Sequence, residues 1–110
     1  QATIELFTAP NPPSALFAGQ NLITIGVIRA LQRLGLQQQV ALVGFDDFPL
    51  ADLLMPRVSV VAQDPALLGK TAAERLFARL DGERSPGERI VIPTQLLIRG
   101  SGEITPSAFT

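Results

Sequence analysis

The apolar positions of this chain fall into blocks whose spacing changes from one to the next. Residues 40 to 43 (VALV) and 58 to 61 (VSVV) have almost no polar alternation, the pattern of strands covered on both faces in a parallel sheet. Residues 15 to 18 (ALFA) form a third short apolar strand. Between the strands lie longer segments with a helical period. From Leu22 to Leu34 the apolar positions (Leu22, Ile23, Ile25, Val27, Ile28, Ala30, Leu31, Leu34) cover well over half the circumference, leaving Arg29, Gln32 and Arg33 as a narrow wet stripe. So apolar a helix is expected to pack against more than one neighbour: the sheet, and a second surface for which a partner subunit is one candidate. From Pro65 to Leu80 the stripe is Leu68, Ala72, Leu76 and Leu80, widened by Leu67, Ala73 and Phe77, with Lys70 and Glu74 as an exposed i,i+4 pair.

Punctuation residues supply the boundaries. Residues 2 to 8 read as the tail of a helix, stopped by three prolines in the four positions 10 to 13. Asn21 is the expected N-cap of the first long helix and Gly35 its C′ residue; Asp64 and Pro65 are the expected N-cap and first residue of the second. A turn of helix is expected from Phe48 to Leu54, beginning near Pro49 and ended by Pro56. Short strands are expected at 90 to 92 and 94 to 98, split by Pro93, which cannot donate to a ladder. The Gly/Ser/Thr/Pro-rich tail after Arg99 is expected to fray. Strands alternating with helices at this spacing predict an α/β fold: a Rossmann-like parallel sheet flanked by helices, with right-handed crossovers.

Composition narrows the function. With 110 residues the chain is one domain or part of one. Nine basic and ten acidic residues give a net charge of −1, with no basic patch for a phosphate backbone, so this segment should not bind DNA by itself. It has no Cys and no His, which removes thiolate sites, the usual general base and the commonest metal ligand. No apolar run reaches the length of a membrane span. No cofactor, no metal and no enzymatic role are expected; what composition excludes is Ser-His-Asp, Cys-His or His-ligated-metal catalysis within this segment. Asp46-Asp47 is a weak magnesium signal without a glycine-rich phosphate loop, and Lys70 lies on a solvated helix face.

What remains is a set of polar residues at strand ends. In open α/β sheets ligands sit at the carboxyl ends of the strands. Gln20 and Asn21 follow the first strand, Asp46 and Asp47 the second, and Gln63 the third. If these strands are parallel neighbours, their carboxylates and amides share one rim and can hold vicinal hydroxyls. Each has an ordinary reading too: Asn21 as a cap, Asp47 as a turn former, Gln63 as a loop residue.

In chain order, FAGQNLITIGVIRALQRLGL, VALVGFDDFPLADLLMPRVSVVAQD, LLGKTAAERLFARLDGE and IVIPTQLLIRGS resemble the last third of effector domains from the lactose/galactose-repressor family of transcription regulators. The resemblance spans about residues 14 to 101. It implies a partial periplasmic-binding-protein-like (type I) effector domain. Residues 1 to 110 would form its C-terminal portion, with the DNA-binding headpiece and most of the N-terminal lobe absent. It implies a sugar-like small-molecule effector in an interlobe cleft, a homodimer, DNA binding only through the headpiece, no membrane, and a cytoplasmic protein. By this resemblance Asp46 matches the ligand-contacting Asp after the Gly-aromatic pair, Phe45 the neighbouring aromatic, and Gln63 a cleft-facing polar residue of the hinge strand. Gln20-Asn21 stands where the family usually has Asn-Asp; the longer Gln shifts or loses a pocket contact, and Asn21 lacks the charge. The family pattern also packs the helix from Pro65 on the missing lobe, so exposed apolar surface and, with it, self-association or a swapped arrangement are expected. A periplasmic sugar-binding component of a transporter would share the fold and the Asp corner. A small α/β enzyme would need a base from outside this segment.

Overall fold

The computed structural model describes residues 1–106. It divides into two compact units, residues 1–62 with the chain from 96 onward, and residues 63–95.

In the first unit, helix α1 (Ala2–Thr8) precedes strand β1 (Ala15–Ala18), helix α2 (Asn21–Leu34), strand β2 (Ala41–Phe45) and strand β3 (Ser59–Ala62). Strand β4 (Gln95–Leu97) completes a four-stranded sheet in the order β1-β2-β3-β4. β1 pairs parallel with β2, Ala18 opposite Gly44, and β2 pairs parallel with β3, Phe45 opposite Val61. The core gathers Leu31 and Val27 of α2, Leu42 and Val60 of the strands, and Phe7, Phe48 and Ala51. Gly35 ends α2 in the left-handed region (φ 69°), its N–H returning to the carbonyls of Leu31 and Gln32, as a C′ glycine should.

Four local expectations are corrected. Asn21 is the first residue of α2 and not its cap; Gln20 holds the cap position in extended backbone and makes no side-chain capping bond. Its carbonyl instead accepts from the Thr24 N–H (2.9 Å) and the Thr24 hydroxyl (3.0 Å). Residues 48–54 form no helix, with turns only at 49–53, because Leu50 takes a left-handed backbone (φ 74°) that no right-handed helix admits. Residues 90–92 make no strand; only Gln95–Leu97 pair. The chain after Arg99 does not fray at once: Ser101–Glu103 form a 3-10 turn with Ser101 buried, while residues 107–110 lie outside the described part.

Ser101 explains that order. Its hydroxyl donates to the Leu42 carbonyl of β2 (2.6 Å) and accepts from the Ser59 N–H of β3 (2.8 Å). The Ser59 hydroxyl in turn accepts from the N–H groups of Arg99 (3.0 Å), Gly100 and Gly102. Two serines thus satisfy buried backbone groups of three segments, where an unpaired group would carry a desolvation penalty. Gly102 is needed for the approach, since a Cβ there would stand 2.8 Å from the Val43 side chain.

In the second unit, helix α3 (Pro65–Leu80) is capped as its sequence predicts, the Asp64 carboxylate accepting from the Leu67 N–H at 2.9 Å with Pro65 in the first turn. Arg75 bonds Glu83 at 2.9 Å and ties the following loop back to the helix; Lys70 and Glu74 pair at 3.4 Å. No residue of α3 is buried, and Leu68, Leu76, Phe77 and Leu80 are all exposed. The exposed apolar surface expected of this helix is present.

Candidate functional site

Parallel pairing sends the carboxyl ends of β1, β2 and β3 to one edge of the sheet. Gln20 and Asn21 follow β1 there, at the start of α2, and at the same edge Phe45 ends β2 with Asp46 next after it. Gln20 is exposed, while Asn21, Phe45 and Asp46 are half-buried. Gln63 follows β3 directly, is exposed, and opens the second unit.

The approach of the first two corners depends on Gly44. It lies one residue before Phe45, and a Cβ on it would stand 2.6 Å from the hydroxyl oxygen of Thr24, in the second turn of α2. Thr24 is fully buried. A bare backbone at 44 therefore lets the amino-terminal end of α2, with Gln20 and Asn21, settle against β2.

Asp46 turns the chain out of the sheet. Its φ of 74° is a left-handed conformation that Asp tolerates better than most side chains, and its N–H donates to the Val61 carbonyl at 2.9 Å.

Asp47 has a structural task. Its two carboxylate oxygens accept from the two terminal nitrogens of Arg99, each at 2.8 Å, and Oδ1 also accepts from the Phe48 N–H at 2.9 Å. Arg99 is fixed by its own N–H to Ser59 and by a guanidinium contact to the Val58 carbonyl at 3.2 Å. The turn-forming reading of Asp47 thus describes this residue. With both its oxygens on a guanidinium, the Asp pair is a poor cation site. Among the described residues no three Asp, Glu, His or Cys side chains gather as metal ligands. The Asp47–Arg99 pair spans 52 positions, so no local motif announces it. The only sequence signal was a lone Arg ending an otherwise apolar strand pattern.

The Arg99 hydrogen bonds hold the Asp47 carboxyl below its usual range, with burial opposing and the Phe48 N–H and the guanidinium charge assisting. The same pairing raises Arg99. A folded-state value below the unfolded one stabilises the protein above the unfolded pKa of about 4, and the gain is lost as pH falls through the folded value. With the Asp47 side chain 40% exposed, screening limits the pair to about 1 kcal/mol. Asp47→Asn should therefore lower stability modestly at pH 7. Urea midpoints measured between pH 7 and pH 3 should show the gap to the native protein narrowing only below about pH 4.

A parallel open sheet with polar residues at the carboxyl ends of its strands is the architecture of a ligand-binding α/β domain. A profile of the periplasmic binding protein-like domain matches residues 2–102. The HTH-type transcriptional regulator PtxS of Pseudomonas aeruginosa is 38% identical over 91 residues, covering 81% of this chain and 27% of the regulator. A lactose operon repressor of Rhizobium radiobacter is 35% identical over 98 residues, 87% of this chain and 85% of that sequence. Among solved structures, a putative transcriptional regulator LacI from Bacillus cereus subsp. cytotoxis superposes with a TM-score of 0.87 at 33% identity, over 96% of this chain and 38% of that one. The chain belongs to the periplasmic binding protein-like domain family, in its lactose/galactose-repressor branch of transcription regulators. It spans little more than a quarter of the length of the Pseudomonas regulator. No helix among the described residues is long and apolar enough to cross a membrane.

Proposed function

We propose that this chain is the effector-sensing portion of a cytoplasmic DNA-binding repressor, its C-terminal share of the effector domain. In this reading it has no enzymatic activity and binds a sugar-like polar metabolite at the strand-end rim. Asp46 is the principal ligand side chain, with Gln20, Asn21 and Phe45 of the same unit contributing. The observation that supports this most is the convergence of the β1 and β2 carboxyl ends on one edge, with Asp46 directly after β2 in a left-handed backbone. An ionised Asp and neutral amides suit vicinal hydroxyls, accepting and donating without needing a cation. The relatives' names point the same way, one being a lactose operon repressor and two being transcriptional regulators.

The mechanism is differential affinity. An effector that prefers lobes closed around it shifts the population competent for DNA only by its preference between the two states. DNA contact belongs to a headpiece elsewhere in the full-length protein, which fits the balanced charge of this segment. A second copy completes the reading. Leu22 of α2 and Leu50 and Leu53 of the following turns are exposed, and a groove lined by Ile25, Ile28, Phe48 and Leu54 runs beside them. Such a surface suits a homodimer.

The test is a thermal-shift screen of the full-length protein against aldoses, disaccharides and sugar acids. A sugar at a hundred times its Kd should stabilise by about 2.7 kcal/mol, raising the melting temperature by about 5 °C or more. The same sugar should change the binding of the full-length protein to fragments of its own genomic DNA. Stabilisation without any DNA binding would favour the transporter reading, and no response to any sugar would reject a sugar effector.

A further inference from the structure

We propose that Arg99 is a positioning residue for Asp46: by clamping Asp47 it holds the backbone that presents the Asp46 carboxylate at the rim. The inference rests on the effector reading for what Asp46 does, and on geometry alone for how Asp46 is held.

Asp46 occupies a left-handed backbone, at φ 74°, that an L residue leaves readily unless its flanks are fixed. Both flanks are fixed here. On one side the Asp46 N–H is bonded to the Val61 carbonyl of β3 at 2.9 Å. On the other, the next side chain is gripped by a two-pronged guanidinium, at 2.8 Å on each oxygen, and bonded to the Phe48 N–H. The clamp is itself anchored. Arg99 bonds the Val58 carbonyl and, through its N–H, the Ser59 hydroxyl, so its position is set by the beginning of β3. The Arg99 side chain is 19% exposed and that of Asp47 40%. A pair so open adds little to global stability, yet its fork geometry restricts where the corner can go. Its chief consequence is therefore local. It sets the direction in which residue 46 leaves the sheet.

Lysine keeps the charge of arginine but cannot form the fork. In the full-length protein, Arg99→Lys and Asp47→Asn should each leave the fold intact by circular dichroism. Amide hydrogen exchange read by NMR should then show the Asp46 N–H exchanging at least about tenfold faster, with the amides of Ala41–Gly44 unchanged. The reciprocal swap, Asp47→Arg with Arg99→Asp, should restore part of the protection. Unchanged exchange at Asp46 in both single variants would overturn the proposal. Equal acceleration along all of β2 would overturn it too, because the pair would then be serving the sheet as a whole. The exchange is read without any ligand, so its failure leaves the effector reading standing. A silent sugar screen likewise leaves the clamp standing.

Discussion

Gly44→Ala should destabilise the protein by about 1–3 kcal/mol, the usual cost of forcing extra volume into a packed core. The reason is a single contact. The added methyl would sit 2.6 Å from the Thr24 hydroxyl oxygen and 2.9 Å from its Cγ2. Thr24 has no solvent to move into, and its hydroxyl is engaged with the Gln20 carbonyl. Relief must come from α2 moving away from β2, which also carries Gln20 and Asn21 away from Asp46. Urea denaturation should show the loss as a lower midpoint at unchanged slope. Thr24→Ala removes the two closest atoms, so Gly44→Ala should cost clearly less in that background than alone. Additive losses would mean that the contact is not the cause. A neutral Gly44→Ala would show that the helix has slack the structure does not reveal.

The long-period features of this fold were legible in the residues because each is dictated locally. Gly35 stops α2 and Asp64-Pro65 starts α3 through backbone requirements that few other residues meet. The unbroken apolar runs gave the parallel strands, and their order along the chain became their order in the sheet. What escaped was set by distant contacts or by a rule that another residue overrode. Asn21 has the chemistry of a cap, yet the chain turns one residue earlier. The Gln20 carbonyl, bonded twice to Thr24, anchors the first turn without any capping side chain. The Phe48–Leu54 stretch is apolar and follows a good helix start. Burial of Phe48 and Ala51 accompanies a left-handed Leu50, and the helix is lost. The tail was read as loose from its Gly and Ser content, but the same small residues let Ser101 and Gly102 fit against β2 and β3.

The candidate rim was legible to the same extent. Residue types and strand ends could be named in advance. Asp47 could be read as a turn former, but its pairing with Arg99 could not, because Arg99 lies 52 positions beyond it. In the proposed reading Asp46 is the principal ligand side chain, whereas Asp47 is engaged by Arg99 and the Phe48 N–H. On that reading replacement of Asp46 should have a large effect on effector response. Asp46→Ala should weaken effector binding in the full-length protein by more than about 1.5 kcal/mol, the scale of a hydrogen bond to a charged group. Alanine also gives up the tolerance for a left-handed backbone, so Asp46→Asn is the sharper variant. Asparagine keeps that tolerance and removes only the charge and one acceptor.

The decisive measurement is isothermal titration of the stabilising sugar into full-length wild-type and Asp46→Asn protein, at matched folded fraction. A dissociation constant raised about tenfold or more by the amide, equivalent to about 1.4 kcal/mol, is the predicted result. An unchanged constant would place the ligand away from Asp46 and contradict the strand-end rim as the effector site.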